Sequence, residues 1–304
     1  MSEQPDTYSA SAEVAVVRKR RSGFERFTLL MKSAPPSAWF GMIVVSLYIL
    51  VAIFADVLAP YGEAEIHSVA FAPWGDEFFF GTDQIGRDVL TRLIYGARNT
   101  MGIALATTFL SFLIGGGLGL VAAINRSWLD QVLSRFVDVL MAIPSLIFAL
   151  MLLSIFGSTI TSLIMIIAVL DSTRVFRLTR AVAVNVAVMD YVEAAKLRGE
   201  GLGWIMRREI LPNIMPPLVA EFGLRFCFVF LTIAALSFLG VGIQPPTADW
   251  GSMVRANASL IQFAKYDITA AITPLLPAAA IALLTVAVNF IVDWFLQKTS
   301  GLRE

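Results

Sequence analysis

The side chains that could do chemistry are few in this sequence and do not form a catalytic set. There is one cysteine, Cys227, and one histidine, His67, which are too few for a disulfide framework and do not suit a metal site. His67 has no nucleophile elbow to serve, so a Ser-His-Asp hydrolase is not indicated. None of the lysines follows a glycine, which excludes the Gly-x-x-x-x-Gly-Lys phosphate loop. The sequence therefore predicts no catalytic residue, no metal ligand and no cofactor bound by this chain.

Charged residues inside apolar stretches are a second group of interest. Glu221 and Arg225 are four residues apart, so a helix would place them on one face, where they can neutralise each other. Asp171 and Arg174 are three apart near the end of another apolar stretch. Because ionisable groups in a bilayer are costly, such residues either line a polar path or form a structural ion pair between packed helices. The residues alone leave both interpretations open for Glu221 and Arg225.

A third feature is the polar segment, residues 190–212, which separates two strongly apolar stretches. Asp190 and Glu193 have the spacing of a capping box, which predicts a short helix with Asp190 as its N-cap. Glycine accepts positive φ, so a tight reversal is expected at Gly199, Gly201 and Gly203. A second short helix should then stop before Pro212. The product is a helix-turn-helix near the membrane surface, which either docks a partner or merely connects two spans.

The composition indicates which elements must position these residues. The chain has 304 residues, of which 57% are hydrophobic and 15% are charged, whereas soluble domains carry roughly a quarter charged residues. A membrane helix needs about 20 predominantly apolar residues. Six segments qualify, at about 39–59, 100–124, 137–156, 159–179, 215–242 and 272–296. The sequence therefore predicts an all-α polytopic membrane protein with six transmembrane helices.

The distribution of lysine and arginine predicts the orientation of these spans. With the N-terminus inside, the cytoplasmic pieces hold 17 of these residues and the external pieces hold 5, with Arg225 left inside the fifth span. Positive charge is retained on the cytoplasmic side, so both termini and the polar segment are expected there. The domain organisation is then a cytoplasmic tail (1–38), a transmembrane domain (39–296) and a cytoplasmic tail (297–304). Within the domain, two external loops (60–99 and 243–271) and one cytoplasmic loop (182–213) are expected.

The bulk sequence also bears on partners and targeting. The basic run at residues 18–21 follows no early apolar core, which argues against a cleaved signal peptide. That run is expected to lie against anionic lipid headgroups of the bilayer. The formal net charge is zero, which argues against nucleic acid as a partner. Lipid is therefore the one partner that the composition itself indicates.

The external loops contain two candidates for contact with another protein. Over 81–98, charged residues alternate with apolar ones, which predicts an amphipathic helix along the outer surface; the charged positions are Asp83, Arg87, Asp88 and Arg92. This helix could contact an external protein or could brace the second span. Trp250, in the loop 243–271, is the other candidate for receiving that protein.

Three separated motifs resemble those of one family. Glu193-Ala194-Ala195, with Gly199 and then Leu211-Pro212, resembles the cytoplasmic loop of ATP-binding-cassette importer permeases. The stretch from Gly81 to Arg98 is similar to the segment before the second span in the dipeptide/oligopeptide/nickel permease family. Residues 236–242, continuing through Pro245-Pro246 to Trp250-Gly251, resemble the motif after that family's fifth span. With 138–144, the similarity covers most of residues 40–290.

The resemblance implies a function and a set of partners. The chain would have the MetI-like permease fold and be one of two different permease subunits in a bacterial inner-membrane importer of peptides. ATP and Mg would be bound by two separate ATPase subunits, and a periplasmic or extracellular binding protein would deliver the cargo. Glu193, Ala194, Ala195, Gly199, Leu211 and Pro212 would dock into a cleft of the ATPase, so that ATP binding drives alternating access. The alternative is a secondary transporter driven by an ion gradient, which would need an ion relay and usually an internal repeat.

Overall fold

The computed structural model describes residue 31 and residues 33–67, 69–125 and 128–299. The basic run at 18–21 and the tail beyond residue 299 lie outside the described residues, so the expectations about them stay predictions. All helices described below belong to the unit that begins at Pro36. In chain order they are α1 (Pro36–Ile53), α2 (Ala55–Leu58), α3 (Val89–Ile124), α4 (Trp128–Ala142), α5 (Ser145–Phe156), α6 (Ile160–Ala187), α7 (Asp190–Leu197), α8 (Leu202–Ile205), α9 (Leu211–Phe238), α10 (Trp250–Asn257), α11 (Ile268–Ile272) and α12 (Leu275–Thr299). A π-helical turn (Met206–Ile210) joins α8 to α9, and a 3-10 helix (Ala258–Phe263) follows α10.

The described chain is helical, as the composition predicts, and several of its helices are long enough to cross a membrane. Four helical stretches qualify by length and apolar composition: Pro36–Ile53, Val89–Ile124, Leu202–Phe238 and Ile268–Lys298. The bent pair α4 and α5 raises the number to five if it is one span. Helix α6 coincides with the predicted fourth span but carries Asp171 and several arginines, and it is not among the four. The count of six spans therefore stays a prediction.

The predicted third span, 137–156, is not a continuous helix. Helix α4 ends at Ala142, α5 begins at Ser145, and the two axes differ by 90°. Pro144 lies at the N-cap of α5. Proline has no backbone N–H to donate and disfavours helical geometry in the residue before it, so α4 stops short of Pro144 and the chain turns.

The centre of the fold is the close packing of α3 against α6. A Cβ atom added at Gly115 would overlap the backbone oxygen of Ser172, and one added at Gly119 would lie 2.8 Å from the backbone oxygen of Phe176. Small residues four apart let two helix backbones approach in this way. The interpretation of Gly115-x-x-x-Gly119 as a packing motif is confirmed.

Two hydrophobic clusters lie at different levels of this helix pair. One joins α3, α6, α9 and α12 around Phe230 and Trp250, whose ring centroids are 6.1 Å apart. The other joins the ends of α3 and α6 to the polar segment, through Leu120, Ala183 and Val192. The second cluster therefore attaches the polar segment to the membrane helices.

Candidate functional site

The first turn of the polar segment is built differently from the predicted capping box. Helix α7 has Met189 as its N-cap, without a side-chain hydrogen bond, and Asp190 is its first helical residue. Asp190 and Glu193 both lie in the first turn, where negative charge interacts favourably with the helix dipole. The prediction that Asp190 is the N-cap is wrong, because the chain enters the helix one residue earlier.

Gly199 makes the predicted reversal at the other end of α7. Its φ is +81°, its N–H donates to Lys196 O at 2.9 Å, and the Glu200 N–H donates to Ala195 O at 3.2 Å. These two hydrogen bonds form a Schellman motif, in which a left-handed residue ends the helix and satisfies its last carbonyls. Gly201 and Gly203 do not share the positive φ. One glycine therefore makes the turn.

The two faces of α7 have different neighbours. Val192 and Ala195 are fully buried and belong to the same cluster as Ile205 and Ile210, so this face holds α7 to the rest of the chain. On the other face Glu193, Ala194 and Gly199 are exposed, and Leu197 is 84% exposed. Of the predicted coupling residues, Ala195 is therefore unavailable to a partner, because it is an internal packing residue of the segment.

The chain beyond Gly199 is continuous with a membrane helix. Helix α8, the π turn and α9 form one helical stretch from Leu202 to Phe238, so the prediction that Pro212 ends a short helix is wrong. The Leu211 N–H donates to Met206 O, and this wider turn accommodates Pro212, which has no N–H, at the start of α9. Leu211 is half-buried and Pro212 is exposed. The segment is thus a helix, a glycine turn and the extended end of a membrane helix.

Three charged residues inside the helices and one serine form the intramembrane charge cluster, which consists of Ser111, Asp171, Glu221 and Arg225. Arg225 Nε lies 2.8 Å from Glu221 Oε1, and Arg225 Nη1 lies 3.5 Å from Asp171 Oδ1. Ser111 Oγ donates to Asp171 Oδ2 at 3.3 Å. The cluster ties α3, α6 and α9 together, and the pairing of Glu221 with Arg225 is as predicted.

Asp171 has a different partner from the one that its spacing suggests. It forms an ion pair with Arg225 of another helix, 54 positions along the chain, and not with Arg174. Arg174 instead lies over the ring of Phe228, with 6.0 Å from its Cζ to the ring centroid. No local pattern in the sequence indicates that Asp171 pairs with Arg225, and none indicates that Ser111 contacts Asp171.

The predicted external contact residues form a buried brace. Asp83, Arg87, Asp88 and Arg92 are between 2% and 6% exposed. Asp83 Oδ2 accepts from Arg87 Nε at 2.8 Å and lies 3.7 Å from Arg92 Nε. Arg92 Nη1 also donates to Glu63 O at 3.3 Å and to Pro246 O at 3.1 Å. We call these four residues the external brace.

The amphipathic helix predicted over 81–98 is also only partly formed. Residues 82–88 make a turn that a bridge between Thr82 and Asp88 closes, and α3 begins at Val89 with Asp88 as its N-cap. Asp88 Oδ2 accepts from the Thr91 N–H at 2.7 Å. Of the two interpretations of this stretch, these contacts support bracing, because the charged side chains bind one another and backbone groups inside the chain.

Trp250 is likewise internal. It is 2% exposed, and its Nε1 donates to Leu93 O at 2.9 Å, so it cannot serve as an exposed contact. Asp249 caps α10 by accepting from the Gly251 N–H at 2.9 Å. Burial raises the pKa of the Asp249 carboxyl, and these hydrogen bonds oppose the rise only in part. The two external loops are therefore held to each other through α3 and α10.

One further residue of this region was not singled out in the sequence. Glu63 Oε1 accepts from the Ala248 N–H at 2.6 Å and from Asn99 Nδ2 at 2.8 Å, so it joins the two external loops. Within the described residues, no three His, Cys, Asp or Glu side chains group as a metal site would require. The polar side chains described above thus form hydrogen bonds and ion pairs within the chain.

The chain matches two protein families and is similar to individual transport proteins. Residues 115–299 match the family described as binding-protein-dependent transport system inner membrane component, and residues 35–74 match the N-terminal TM domain of oligopeptide transport permease C. The dipeptide transport system permease protein DppC of Alkalihalophilus pseudofirmus is 33% identical, over 87% of this chain and 83% of that protein. The di/tripeptide transport system permease protein DppC of Pseudomonas aeruginosa is 34% identical, over 87% of this chain and 85% of that protein.

A solved structure supports the fold. The MetNI methionine ABC transporter in an inward-facing form contains a chain that superposes with a TM-score of 0.51 at 20% identity. The superposition covers 68% of this chain and 97% of that chain. At this identity the likeness concerns the fold alone, and it confirms the predicted MetI-like fold.

Proposed function

The chain belongs to the family of binding-protein-dependent transport system inner membrane components, and we propose that it is the transmembrane permease subunit of an ATP-driven peptide importer. Relatives that align over most of its length are named dipeptide and di/tripeptide transport permeases. The chain would lie in the bacterial inner membrane with both termini in the cytoplasm. Its partners would be a second permease subunit, two ATPase subunits and an external substrate-binding protein.

The energy for transport would come from the ATPase subunits. The sequence has no phosphate loop, since no lysine follows a glycine. ATP and Mg would therefore be bound by the partner subunits, and this chain would perform no hydrolysis. Its own task would be to receive a movement and pass it to the membrane helices.

The observation that carries this proposal is the exposed face of the polar segment. Leu197 is 84% exposed, and Leu202 and Trp204 are 49% and 39% exposed. Glu193 and Lys196 lie among them and are exposed too. Apolar side chains ringed by charged ones are typical of a protein contact surface. We propose that this face docks on an ATPase subunit.

The way in which the segment is attached supports a role in force transmission. Val192 and Ala195 of α7 pack into one cluster with Ile205, Ile210 and Ile214. These isoleucines belong to the continuous helical stretch that extends to Phe238. A displacement of α7 would therefore move α9 with it, because packed cores shift between discrete arrangements and do not deform continuously. Helix α9 carries Glu221 and Arg225, so the intramembrane charge cluster would follow.

The alternative of an ion-gradient-driven secondary transporter is less consistent with the family. Members of this family are described as components of binding-protein-dependent systems. Glu221 and Arg225, which would be needed as a relay, are paired with each other at 2.8 Å. We therefore retain the importer as the proposed function.

The experiment that tests the proposal compares two glycine substitutions in the polar segment. Gly199→Ala forces alanine into a left-handed conformation, which costs roughly 1–2 kcal/mol and disturbs the end of α7. Gly203→Ala adds the same methyl group where φ is not positive and where no atom lies within 4 Å of it. The assembled importer would be reconstituted in proteoliposomes, and ATP hydrolysis and dipeptide uptake would be measured together.

We expect Gly199→Ala to lower the peptide imported per ATP hydrolysed severalfold, and Gly203→Ala to leave this ratio near that of the unmodified importer. Equal ratios in both variants, at equal amounts of assembled complex, would refute the role of the segment. Uptake by the unmodified chain that proceeds without ATP or without the ATPase subunits would refute the proposed function itself.

A further inference from the structure

A cavity of about 360 Å³ lies where the bent pair α4 and α5 meets α6 and α9. Its wall is mostly apolar, with Pro144 at the bend and Phe228 from α9. The polar lining includes Asp171, Arg174 and the hydroxyl group of Thr232. Cavities of this size hold small molecules in other proteins. The polar groups of the lining determine which ligand the cavity would favour.

Arg174 lies well inside α6 along the helix axis, although the charge distribution of the sequence groups it with the cytoplasmic residues. It is 14 residues beyond Ile160, the first residue of α6, which at 1.5 Å per residue is about 21 Å along the helix. Its neighbours Ser172 and Phe176 contact Gly115 and Gly119 of α3. These glycines lie inside the apolar stretch that ends at Ile124. The predicted fourth span, which α6 follows, therefore places Arg174 at membrane depth.

At this depth Arg174 is exposed on the surface of the chain. Among the described residues, no carboxylate oxygen lies within 4.0 Å of its guanidinium; the two carboxylates of the intramembrane charge cluster, Asp171 and Glu221, are both engaged by Arg225. The contact of Arg174 is with the ring of Phe228, at 6.0 Å. Its five N–H donors therefore remain available to a ligand.

An unpaired charge at membrane depth does not face lipid, because its desolvation is too costly. The face of the chain that carries Arg174 must therefore border a water-filled space or a polar partner. The cavity beside it combines this arginine, and the Asp171 carboxylate that Arg225 holds, with an apolar wall, which can accept different side chains without selecting among them. A guanidinium presents a planar fork of donors that matches a carboxylate.

We propose that Arg174 binds the C-terminal carboxylate of the peptide while the cargo occupies this cavity. The inference rests on the proposed function, since it assigns a contact to the cargo of that importer. The carboxylate is the group that all linear peptides share, so one arginine suits cargo of varied sequence. Asp171 and Glu221 together carry two negative charges, and Arg225 and Arg174 carry two positive ones, so the group has no net charge to repel an incoming carboxylate.

The test measures peptide binding to the assembled permease–ATPase complex in nanodiscs, without the binding protein. Fluorine NMR of a fluorine-labelled dipeptide detects weak, saturable binding, and the same dipeptide with an amidated C-terminus lacks the carboxylate. The variants are Arg174→Gln, Arg174→Lys and, as a matched control, Arg98→Gln. Arg98 is an exposed arginine that pairs with Asp56 at 2.9 Å and does not line this cavity.

We expect the unmodified complex to bind the free dipeptide at least about tenfold more tightly than its amide, as the loss of a charge-assisted hydrogen bond implies. Arg174→Gln should abolish this preference, Arg174→Lys should keep part of it, and Arg98→Gln should keep all of it. No saturable binding to the unmodified complex, or an undiminished preference in Arg174→Gln, would overturn the proposal. A loss of the second permease subunit from the Arg174→Gln complex would overturn it too, since the arginine would then serve assembly.

These outcomes are separate from those that test the proposed function. ATP-dependent peptide uptake by the unmodified importer, with an unchanged preference in Arg174→Gln, would leave the importer standing and remove only the role of Arg174. Absence of ATP-dependent uptake would instead count against the importer itself.

Discussion

Replacing Asp83 with asparagine tests whether the external brace supports the fold or receives another protein. The Asp83 side chain is 3% exposed, and its Oδ2 lies 2.7 Å from Arg87 Nη2. Its Oδ1 accepts from the backbone N–H groups of Ile85 and Arg87, both at 3.0 Å. Asparagine keeps an oxygen for these two N–H groups but loses the charge that compensates Arg87 and, at 3.7 Å, Arg92.

The expected cost follows from burial. Removing one partner of a buried ion pair typically costs about 3–5 kcal/mol, because the remaining charge is left without compensation. Asparagine retains the backbone hydrogen bonds, and Arg92 retains two carbonyl partners, so we expect the lower end, about 3 kcal/mol. For domains of 150–250 residues this corresponds to a fall in melting temperature of about 6–12 °C.

The assay is thermal unfolding of the purified chain in detergent, together with docking of the binding protein on the assembled importer. Asp76→Asn is the matched control, since Asp76 is an exposed carboxylate in the same loop and surface substitutions usually change stability by within about 0.5 kcal/mol. A melting temperature for Asp83→Asn equal to that of Asp76→Asn would refute the assignment as a brace. If Asp83→Asn weakened docking of the binding protein without lowering the melting temperature, Asp83 would be a contact for that protein.

Two further predictions concern packing and pH, and both can be measured by thermal unfolding in the same detergent. Gly115→Ala should destabilise the chain by about 1–3 kcal/mol, because the new methyl group overlaps the Ser172 backbone. Gly117→Ala is the control and should not destabilise the chain, since no atom lies within 4 Å of the added methyl group. Equal effects of the two substitutions would argue against the close approach of α3 and α6. Burial raises the pKa of Asp249, so the folded chain holds this proton to higher pH than the unfolded chain, whose value is about 3.9. The contribution of Asp249 to stability should therefore be complete below that pH and decline as pH rises through the raised folded value. Asp249→Asn should flatten this part of the stability curve, and an unchanged curve would contradict the assignment.

Much of the local structure could be predicted from sequence because it depends on near neighbours. The glycine turn at Gly199 and the pairing of Glu221 with Arg225 involve groups within a few positions of each other. The apolar stretches follow from composition, and the packing of Gly115 follows from the absence of a side chain. In each case the physical cause is local geometry or mean hydropathy, which a sequence states directly.

The errors at residues 81–98 and in the polar segment have a common origin. Alternating charged and apolar residues predict an exposed amphipathic helix when no other part of the chain is known. Here Arg92 finds the carbonyl oxygen of Pro246, 154 positions away, and so becomes buried. Pro212 is accommodated inside a long helix by a π turn, which depends on packing around the turn and has no residue signature of its own.

The sequence by itself therefore determined the membrane character of this protein, the family motifs and the short-range pairs, because these depend on composition and on spacing within a helical turn. Only the tertiary structure decided which charged residues are buried, because a buried charge requires a partner and that partner is often distant in the chain. It paired Asp171 with Arg225 and left Arg174 exposed beside a cavity at membrane depth. Whether a charged side chain is a brace or a free binding group depends on the groups that folding brings next to it.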